Sequence, residues 1–356
     1  MKAKIAGIAI LVVVIIGVVL FKFLYLDNQK PQITLKGYIG SEKAGLLDDQ
    51  NVKDILRKKY GISFNYSSAG SLDMITADQS GRDFLFPSNE VAYELYKSSY
   101  NTTPKNKVTF SSPLVFYTHG MVLDALVKKG VVSEQGGVYY CDMKKMTDLL
   151  LADTKWSDIG CPELYGNVSI FSTDPEKSNS GNMFACLLAT ILNDGKVVDT
   201  ASIDAVMPKL KGIFSKLGYM EASSGILFNN FLTTGVGSKP IMVGYENQLL
   251  EFASSPQNAS AWNNLKDDIK IIYPVPTIWS NHTYIAIGKN GELGIDALMD
   301  NDIQSIAWRS HGFRTGPSND ISVFSSVKGL SLNITQVVPL PSYKTIDKIL
   351  VSLKNQ

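Results

Sequence analysis

The chain has 356 residues, with 34 Lys or Arg and 33 Asp or Glu, so its formal net charge is +1. This balance argues against a protein that holds nucleic acid through a basic surface. The length corresponds to about two domains of roughly 150 residues each, and a hydrophobic content of 45% suits a globular protein with a proper core.

The N-terminus has the pattern of a membrane anchor. Lys2 and Lys4 precede an uncharged apolar run, Ile5–Phe21, and about 20 largely apolar residues cross a bilayer if Lys22 extends its ammonium to the interface. A cleaved signal peptide is the alternative, but it has a shorter apolar core and small residues at its cleavage site. Because bulky residues follow the run, we predict that residues 1–26 are an uncleaved, single-pass cell-membrane anchor. The bulk of the chain is then extracytoplasmic.

Strand and helix patterns alternate after a short linker. The segment Ile33–Gly40 has strand character, and the helix that follows it ends at Gly61. Two further strands, Ile62–Tyr66 and Phe84–Phe86, each lead into a polar turn and a helix. This order predicts a parallel sheet with right-handed crossovers, in which ligands bind beyond the carboxyl ends of the strands.

Small hydroxyl residues recur where these strands end. The stretch Val168–Leu192 combines a strand-like start, Val168–Phe171, a Ser/Asn/Gly turn, and an apolar segment, Met183–Leu192, that is predicted to be a buried helix. A strand, such a turn and a helix form a natural anion cradle, although an ordinary capped core helix is the alternative. Recurrence of the pattern favours a polar cleft. The hydroxyl-bearing junctions are Ser41, Ser67–Ser71, Ser88 and Ser178–Ser180.

The rest of the chain supplies two candidate crossings. Val108–Tyr117 is a long extended run containing Pro113, and since a strand interior does not accept proline, we interpret the run as an edge or as a crossing between lobes. Ile269–Pro274 is interpreted as a second crossing, and Tyr343–Leu353 as an amphipathic closing helix. The other predicted elements are helices at 143–151, 203–217 and 248–253 and a strand at 240–244.

Five segments together resemble a known family: Gly40–Lys43, Ser68–Ser71, Ser111–Val115, Ser172–Gly181 and Tyr273–Thr277. They look like turns of bacterial extracellular solute-binding proteins, specifically those with the type 2 periplasmic-binding fold that bind molybdate, sulfate, phosphate or iron. The resemblance covers nearly everything after the predicted anchor. It rests on a pattern of turns and their order, not on a unique signature.

The resemblance implies an α/β fold of two lobes, the first formed by residues 33–112 and 273–356 and the second by residues 113–272. A small anionic ligand would be trapped between them by hinge closure and delivered to an ABC-type permease for transport. The alternative is a ligand-sensing or partner-binding module of the same fold in a signalling or envelope complex. No catalytic motif or metal-ligand spacing is legible, so we expect no enzyme, no cofactor and no metal.

In oxyanion-binding relatives, hydroxyls and backbone N–H groups at helix N-termini hold the dehydrated anion, and this role would fall on Ser41, Ser71 and Ser180. The turn Tyr245–Asn247 lies where iron-binding relatives place ligand side chains, but the tandem tyrosine pair is absent. Arg314 is either a clamp for a planar oxyanion or a surface arginine. The full set of predicted ligand-binding residues is Ser41, Ser71, Ser88, Ser178, Asn179, Ser180, Tyr245, Glu246 and Arg314.

Two further observations concern charge and sulfur. Glu42, Lys43 and Glu246 bring more charge than a plain molybdate or sulfate pocket carries, which leaves the identity of the ligand open. Cys141 and Cys161 fall in the same predicted lobe and outside the cytosol, where disulfides persist. We predict that they are bridged, with a reduced pair as the alternative, and that Cys186 is a free core residue.

Overall fold

The computed structural model describes residues 14–18, 32–316 and 320–354. Residues 14–18 are helical. Within the described ranges, no helix has both the length and the apolar character needed to cross a membrane. The rest of the predicted anchor in residues 1–26 lies outside the described residues.

The first sheet is built around the N-terminal strand. β1 (Ile33–Ile39) pairs in parallel with β2 (Ile62–Ser68) and β3 (Phe84–Phe86), as the alternating strand and helix pattern predicts. Along β1 the side chains alternate between buried and partly exposed positions, as expected for a strand with one covered face. Gly37 is needed in β1 because a Cβ there would lie 2.2 Å from the carbonyl oxygen of Phe84.

Fourteen helices of the ranges 32–316 and 320–354 cover the sheets. In chain order they are α1 (Ala44–Asp48), α2 (Gln50–Ile55), α3 (Asp73–Thr76), α4 (Val91–Tyr100), α5 (Gly120–Lys128), α6 (Met143–Leu151), α7 (Asn179–Leu192), α8 (Ile203–Phe214), α9 (Ser224–Thr234), α10 (Glu246–Ser254), α11 (Ala259–Leu265), α12 (Glu292–Leu298), α13 (Asn301–Arg309) and α14 (Tyr343–Lys354). After α2 the helix continues through one π-helical turn and ends at Gly61, which adopts φ 67°. The predicted stop is therefore confirmed.

One long strand joins the two sheets. The first part of β4 (Asn106–His119) pairs antiparallel with β9 (Trp279–Ala286) in the first sheet. From Leu114 onwards it pairs antiparallel with β7 (Ile241–Tyr245) and β8 (Ile269–Val275) in the second sheet. Pro113 lies where β4 changes partners, so the strand loses no hydrogen bond in the interior of either sheet. This is the crossing that the proline indicated. The second crossing predicted at Ile269–Pro274 is wrong, because β8 pairs only within the second sheet, and residues 276–278 between β8 and β9 form the other link.

The second sheet is completed by β5 (Val132–Gln135) and β6 (Val138–Asp142), with β6 parallel to β8. The helix α7 packs on this sheet, and residues 179–191 are all buried. The predicted strand Val168–Phe171 is wrong, because only Phe171 is joined to the sheet, by a bridge to Met242. The first residue of this segment does not pair with the sheet, since Val168 N donates instead to the carbonyl oxygen of Thr154 at 2.7 Å.

The terminal helix α14 packs with the helices of the second sheet. Its buried residues Ile346 and Ile349 belong to the same apolar cluster as the side chains of α7 and α8. This helix is part of residues 273–356, which the sequence interpretation placed in the first lobe. The lobe boundaries at 112/113 and 272/273 stay a prediction.

The predicted disulfide between Cys141 and Cys161 is wrong. Both cysteines and Cys186 are free and buried. Each sulfur is packed as a small apolar group in the core beside the second sheet, and the thiol of Cys161 contacts the carbonyl oxygen of Met121 at 3.8 Å. Burial raises the pKa of all three thiols, that of Cys186 to about 12.

Candidate functional site

A cavity of about 260 Å³ lies where turns from the two sheets meet. It is lined by six of the nine predicted ligand-binding residues: Ser41, Ser71, Ser88, Ser178, Asn179 and Tyr245. The other polar side chains on its wall are Glu42, Ser68, Lys177, Ser223 and Ser224. The structure thus brings six of the nine predicted residues together at one cavity, whereas Ser180, Glu246 and Arg314 are not on its wall.

The first sheet contributes three turns to the cavity. Ser41, Ser71 and Ser88 follow β1, β2 and β3, and because these strands are parallel, their carboxyl ends meet at one edge of the sheet. The turns are tied together, since the backbone N–H of Ser88 donates to the hydroxyl of Ser71 at 2.9 Å. This bond fixes the spacing of two buried serines that line the cavity.

The second sheet contributes the start of α7. Ser178 occupies the N-cap position, but its side chain does not cap the helix. Its hydroxyl is instead 3.2 Å from that of Ser180, which is also 2.8 Å from the hydroxyl of Thr173. The first-turn N–H groups of this 14-residue helix therefore have no capping side chain, and they carry the positive end of the helix dipole. Ser180 is fully buried and lies behind the wall.

Direct hydrogen bonds join the two sides of the cavity. The side-chain nitrogen of Asn179 donates to the carbonyl oxygen of Ser88 at 3.2 Å and to the hydroxyl of Tyr245 at 3.0 Å, while its oxygen accepts from Asn89. The hydroxyls of Ser41 and Ser223 are 3.2 Å apart. The cavity is thus enclosed by groups from both sheets in mutual contact.

A buried ionic cluster supports one wall of the cavity. The Lys43 ammonium, which is fully buried, lies 2.5 Å from Glu42 Oε1, 2.8 Å from the Ser88 hydroxyl and 3.1 Å from His282 Nδ1. The Ser88 hydroxyl donates to the same carboxylate oxygen. Nδ1 of His282 also lies 3.4 Å from Glu42 Oε1, and Nε2 of the same ring lies 3.4 Å from the Ser280 hydroxyl.

The charges of this cluster follow from its contacts. Burial alone would raise the pKa of the Glu42 carboxyl, but Lys43 and His282 outweigh burial and hold that pKa well below its usual range. Burial lowers the pKa of Lys43 and Glu42 opposes this, so the two groups form an ion pair. Burial and the neighbouring Lys43 lower the pKa of His282 to about 4, so the imidazole is neutral at neutral pH.

Glu246 and Arg314 do not line the cavity. They form a buried bidentate pair, with Arg314 Nε donating to Glu246 Oε2 at 2.6 Å and Nη2 donating to Oε1 at 2.8 Å. Tyr273 also donates to Glu246 Oε1, at 2.5 Å, and Arg314 Nη1 donates to the carbonyl oxygen of Leu332 at 3.0 Å. Arg314 is 8% exposed. It is neither a clamp in the cavity nor a surface residue, because protein groups already occupy its guanidinium.

Ser223 is the residue that sequence reasoning missed although a signal was present. Ser223-Ser224-Gly225 precedes an apolar run in the same way as Ser178-Asn179-Ser180 does. The hydroxyl of Ser223 caps α9 by accepting from Gly225 N at 3.2 Å. Lys177, which also lines the cavity, pairs with Asp174 at 3.1 Å and carries no comparable sequence signal.

No protein-family model and no curated protein sequence matches this chain. Its fold is similar to that of the sulfate-binding protein SubI from Mycobacterium tuberculosis H37Rv, at 14% identity and a TM-score of 0.53, covering 90% of this chain and 99% of that one. It is also similar to a Listeria monocytogenes protein assigned to spermidine/putrescine ABC transport, at 13% identity and a TM-score of 0.59. That match covers 90% of this chain and 98% of the other one.

The periplasmic binding protein AfuA from Actinobacillus pleuropneumoniae, with fructose-6-phosphate bound, is 14% identical. Its TM-score is 0.55, and the match covers 92% of this chain and all of that one. Identities this low establish a shared fold and leave the ligand undetermined. The resemblance of the strand-end turns is therefore confirmed: the chain has the two-lobed α/β fold of type 2 periplasmic solute-binding proteins.

Proposed function

We propose that the chain is an extracytoplasmic solute-binding protein that holds a small anionic ligand between its lobes and delivers it to an ABC-type permease. The observation that carries the proposal is the cavity, because hydroxyls from both sheets and the start of α7 converge on it. Its volume of about 260 Å³ is slightly below the roughly 300–1,000 Å³ of drug-sized pockets, which favours a small solute.

An anionic group fits the start of α7. The end of a helix carries roughly half a positive charge, and its first N–H groups point outward as donors. Because α7 is buried along its length, these donors cannot move to suit the ligand and form a preorganised site. Ser178 supplies an adjoining hydroxyl, and Ser180 holds that hydroxyl from behind the wall. We propose ligand contacts for the six predicted residues that line the cavity and none for Glu246 or Arg314.

The remaining parts of the proposal concern the lobes and the membrane. We propose that the lobe built on the first sheet and the lobe built on the second sheet move relative to each other about β4 and the link at 276–278. Residues 1–26 would hold the protein at the membrane beside its permease, for which the apolar run Ile5–Phe21 is the support. Mass analysis of protein from the membrane fraction tests the anchor, and a mature N-terminus near Asp27 would refute it.

The function itself is tested with the full chain in detergent. Thermal stability is measured against oxyanions, phosphorylated sugars, amino acids and polyamines, and each hit is then measured by calorimetry and assayed for turnover. A ligand at 100 times its Kd stabilises by about 2.7 kcal/mol. Saturable stabilisation without turnover is expected, while turnover, or the absence of any stabilising solute, would contradict the proposal.

A substitution at the start of α7 tests the site. We predict that Ser178→Ala weakens the binding of an anionic hit by about ten- to a hundredfold, because one hydrogen bond to a charged group contributes about 1.5–3 kcal/mol. Ser157→Ala, which removes an exposed hydroxyl bonded only to Asp158, is the matched control and should leave the affinity unchanged. Equal affinities for the two variants would remove Ser178 from the site.

A further inference from the structure

One charged acceptor on the cavity wall has no protein partner. Oε1 of Glu42 has Lys43 and Ser88 as hydrogen-bond donors, whereas Oε2 accepts no hydrogen bond from any residue of the described ranges. The Glu42 side chain is only 6% exposed, and it borders both the cavity and a larger cleft of about 830 Å³ beside it. This oxygen, which has no protein donor, therefore belongs to a nearly buried side chain on the wall of the space in which a ligand would lie.

The neighbouring donors cannot serve this oxygen. An ammonium has three donors, and those of Lys43 are directed to Glu42 Oε1, the Ser88 hydroxyl and His282 Nδ1. The single proton of the Ser88 hydroxyl goes to Oε1. Nδ1 of His282 lies 3.4 Å from Oε1 and makes no hydrogen bond to Oε2. An ionised carboxylate oxygen that is removed from bulk water needs a donor, and only a ligand or a water molecule remains to provide it.

The opposite requirement holds at the start of α7. There the wall offers N–H groups without a capping side chain, so it favours a negatively charged group. Both features lie on one cavity of about 260 Å³, which is small enough for a single small molecule to contact the two walls together. A plain oxyanion would satisfy the helix and would leave Glu42 Oε2 facing a second negative charge.

We infer that the ligand is a small zwitterion whose cationic amine binds Glu42 while its acidic group binds the start of α7. This inference rests on the proposed solute-binding function, and it replaces a plain anion with a molecule that carries an acidic group together with an amine. Glu42 is then the residue that discriminates an amino-substituted acid from the same acid without its amine. Lys43 acts through Glu42 and Ser88 as a positioning residue, because all its donors are used within the protein.

The first arm of the test changes the ligand and leaves the protein intact. The full chain is titrated calorimetrically with three matched pairs: glycine and acetate, 2-aminoethylphosphonate and ethylphosphonate, and 2-aminoethanesulfonate and ethanesulfonate. In at least one pair the amine-bearing member should bind about tenfold tighter or more, equivalent to about 1.4 kcal/mol. Amine-free members that bind as tightly as their partners, or more tightly, would overturn the inference and leave solute binding standing.

The second arm changes the wall. Glu42→Gln alone leaves the buried Lys43 ammonium without its counter-ion and risks unfolding the protein. The double variant Glu42→Gln/Lys43→Met is therefore used, and Glu134→Gln at an exposed carboxylate is its control. The preference for the amine should disappear in the double variant and persist in the control. A preference that survives in a folded double variant would overturn the role of Glu42. If no solute of the wider screen binds the wild-type chain, the solute-binding proposal itself fails.

Discussion

The ionic cluster beside the cavity depends on a histidine that stays neutral. His282 is fully buried and its Nδ1 lies 3.1 Å from the Lys43 ammonium, so a ring protonated on both nitrogens would place two positive charges in direct contact. Its ring also packs edge-on against Phe313, with 5.0 Å between the ring centroids. Burial and the neighbouring Lys43 favour the uncharged ring and outweigh Glu42, whose Oε1 is 3.4 Å from Nδ1, so the pKa of His282 is lowered to about 4.

We predict an acid-dependent loss of stability that originates at His282. A histidine whose folded pKa is below its unfolded value of 6.5 contributes stability above pH 6.5, and this contribution is lost as the pH falls towards the folded pKa of about 4. Between pH 6.5 and about pH 5, the free energy of unfolding should fall by about 2 kcal/mol through this group. Urea titrations at several pH values measure the change.

The variant His282→Asn isolates this contribution. Asparagine keeps an acceptor for Lys43 and does not titrate, so the stability of the variant should be flatter over the same window. The titration of Glu42, whose pKa is lowered, occurs at more acidic pH and is present in both proteins. Parallel curves for wild type and variant between pH 6.5 and pH 5 would show that His282 is not the group responsible.

At the scale of elements, the start of α7 is set by close packing. Gly181 lies so near the preceding turn that a Cβ would come within 2.2 Å of the carbonyl oxygen of Thr173. The hydroxyl of Thr173 also bonds to Ser180. The turn and the first helical residues therefore form one rigid unit, and any larger residue at position 181 must shift the start of the helix, whose residues Ser178 and Asn179 line the cavity.

We predict opposite effects for two glycine substitutions in helices. Gly181→Ala should destabilise the protein by about 1–3 kcal/mol through overpacking and should also weaken ligand binding. Gly212→Ala in α8, where a Cβ meets nothing within 4 Å, should stabilise it by about 0.5–1 kcal/mol, because alanine favours the helix more than glycine does. Thermal unfolding and calorimetry measure both, and equal effects of the two changes would contradict the packing argument.

The sequence predicted those elements whose patterns are local. Periodicity and a terminal glycine located the helix before Gly61, and Pro113 indicated the crossing in β4. The failures arose where tertiary packing decides. Val168–Phe171 has strand composition but lies beside β7 at one residue only, and Cys141 and Cys161 were paired from compartment alone, although each fills its own place in the core.

The candidate site likewise has a part that the sequence predicts and a part that only the structure reveals. Serines at strand ends could be located because parallel strands bring their carboxyl ends to one edge of a sheet, a rule that requires no contact information. The buried ion pair of Arg314 could not be predicted, because its partner Glu246 is 68 positions away in the chain and only the folded structure brings the two together. The same holds for His282, which is 239 positions from Lys43.

At the scale of the whole molecule, one histidine joins groups from both sheets. His311 Nδ1 is 2.7 Å from Glu251 in α10, which follows the second sheet, and Nε2 is 3.2 Å from Asp49, which precedes α2 beside the first sheet. Both contacts are hydrogen bonds only when both ring nitrogens carry protons. Burial lowers the pKa of His311, but Glu251 and Asp49 outweigh burial and raise it above its ordinary value.

We predict that this bridge holds the two lobes together more firmly at low pH. Because the folded pKa of His311 is raised, its contribution is fully present below the unfolded value of 6.5 and is lost as the pH rises through the folded pKa. Above that pKa, one ring nitrogen presents a lone pair to a carboxylate, and the contact between the lobes weakens. Small-angle scattering of the ligand-free protein should then show a larger radius of gyration at pH 8.5 than at pH 6, in wild type but not in His311→Gln. His119→Gln is the matched control, because His119 pairs with Asp268 at 2.7 Å beside the second sheet and not between the lobes. This variant should show the same increase in the radius of gyration as the wild type. An equal change with pH in His311→Gln and wild type would mean that the lobes respond to other groups.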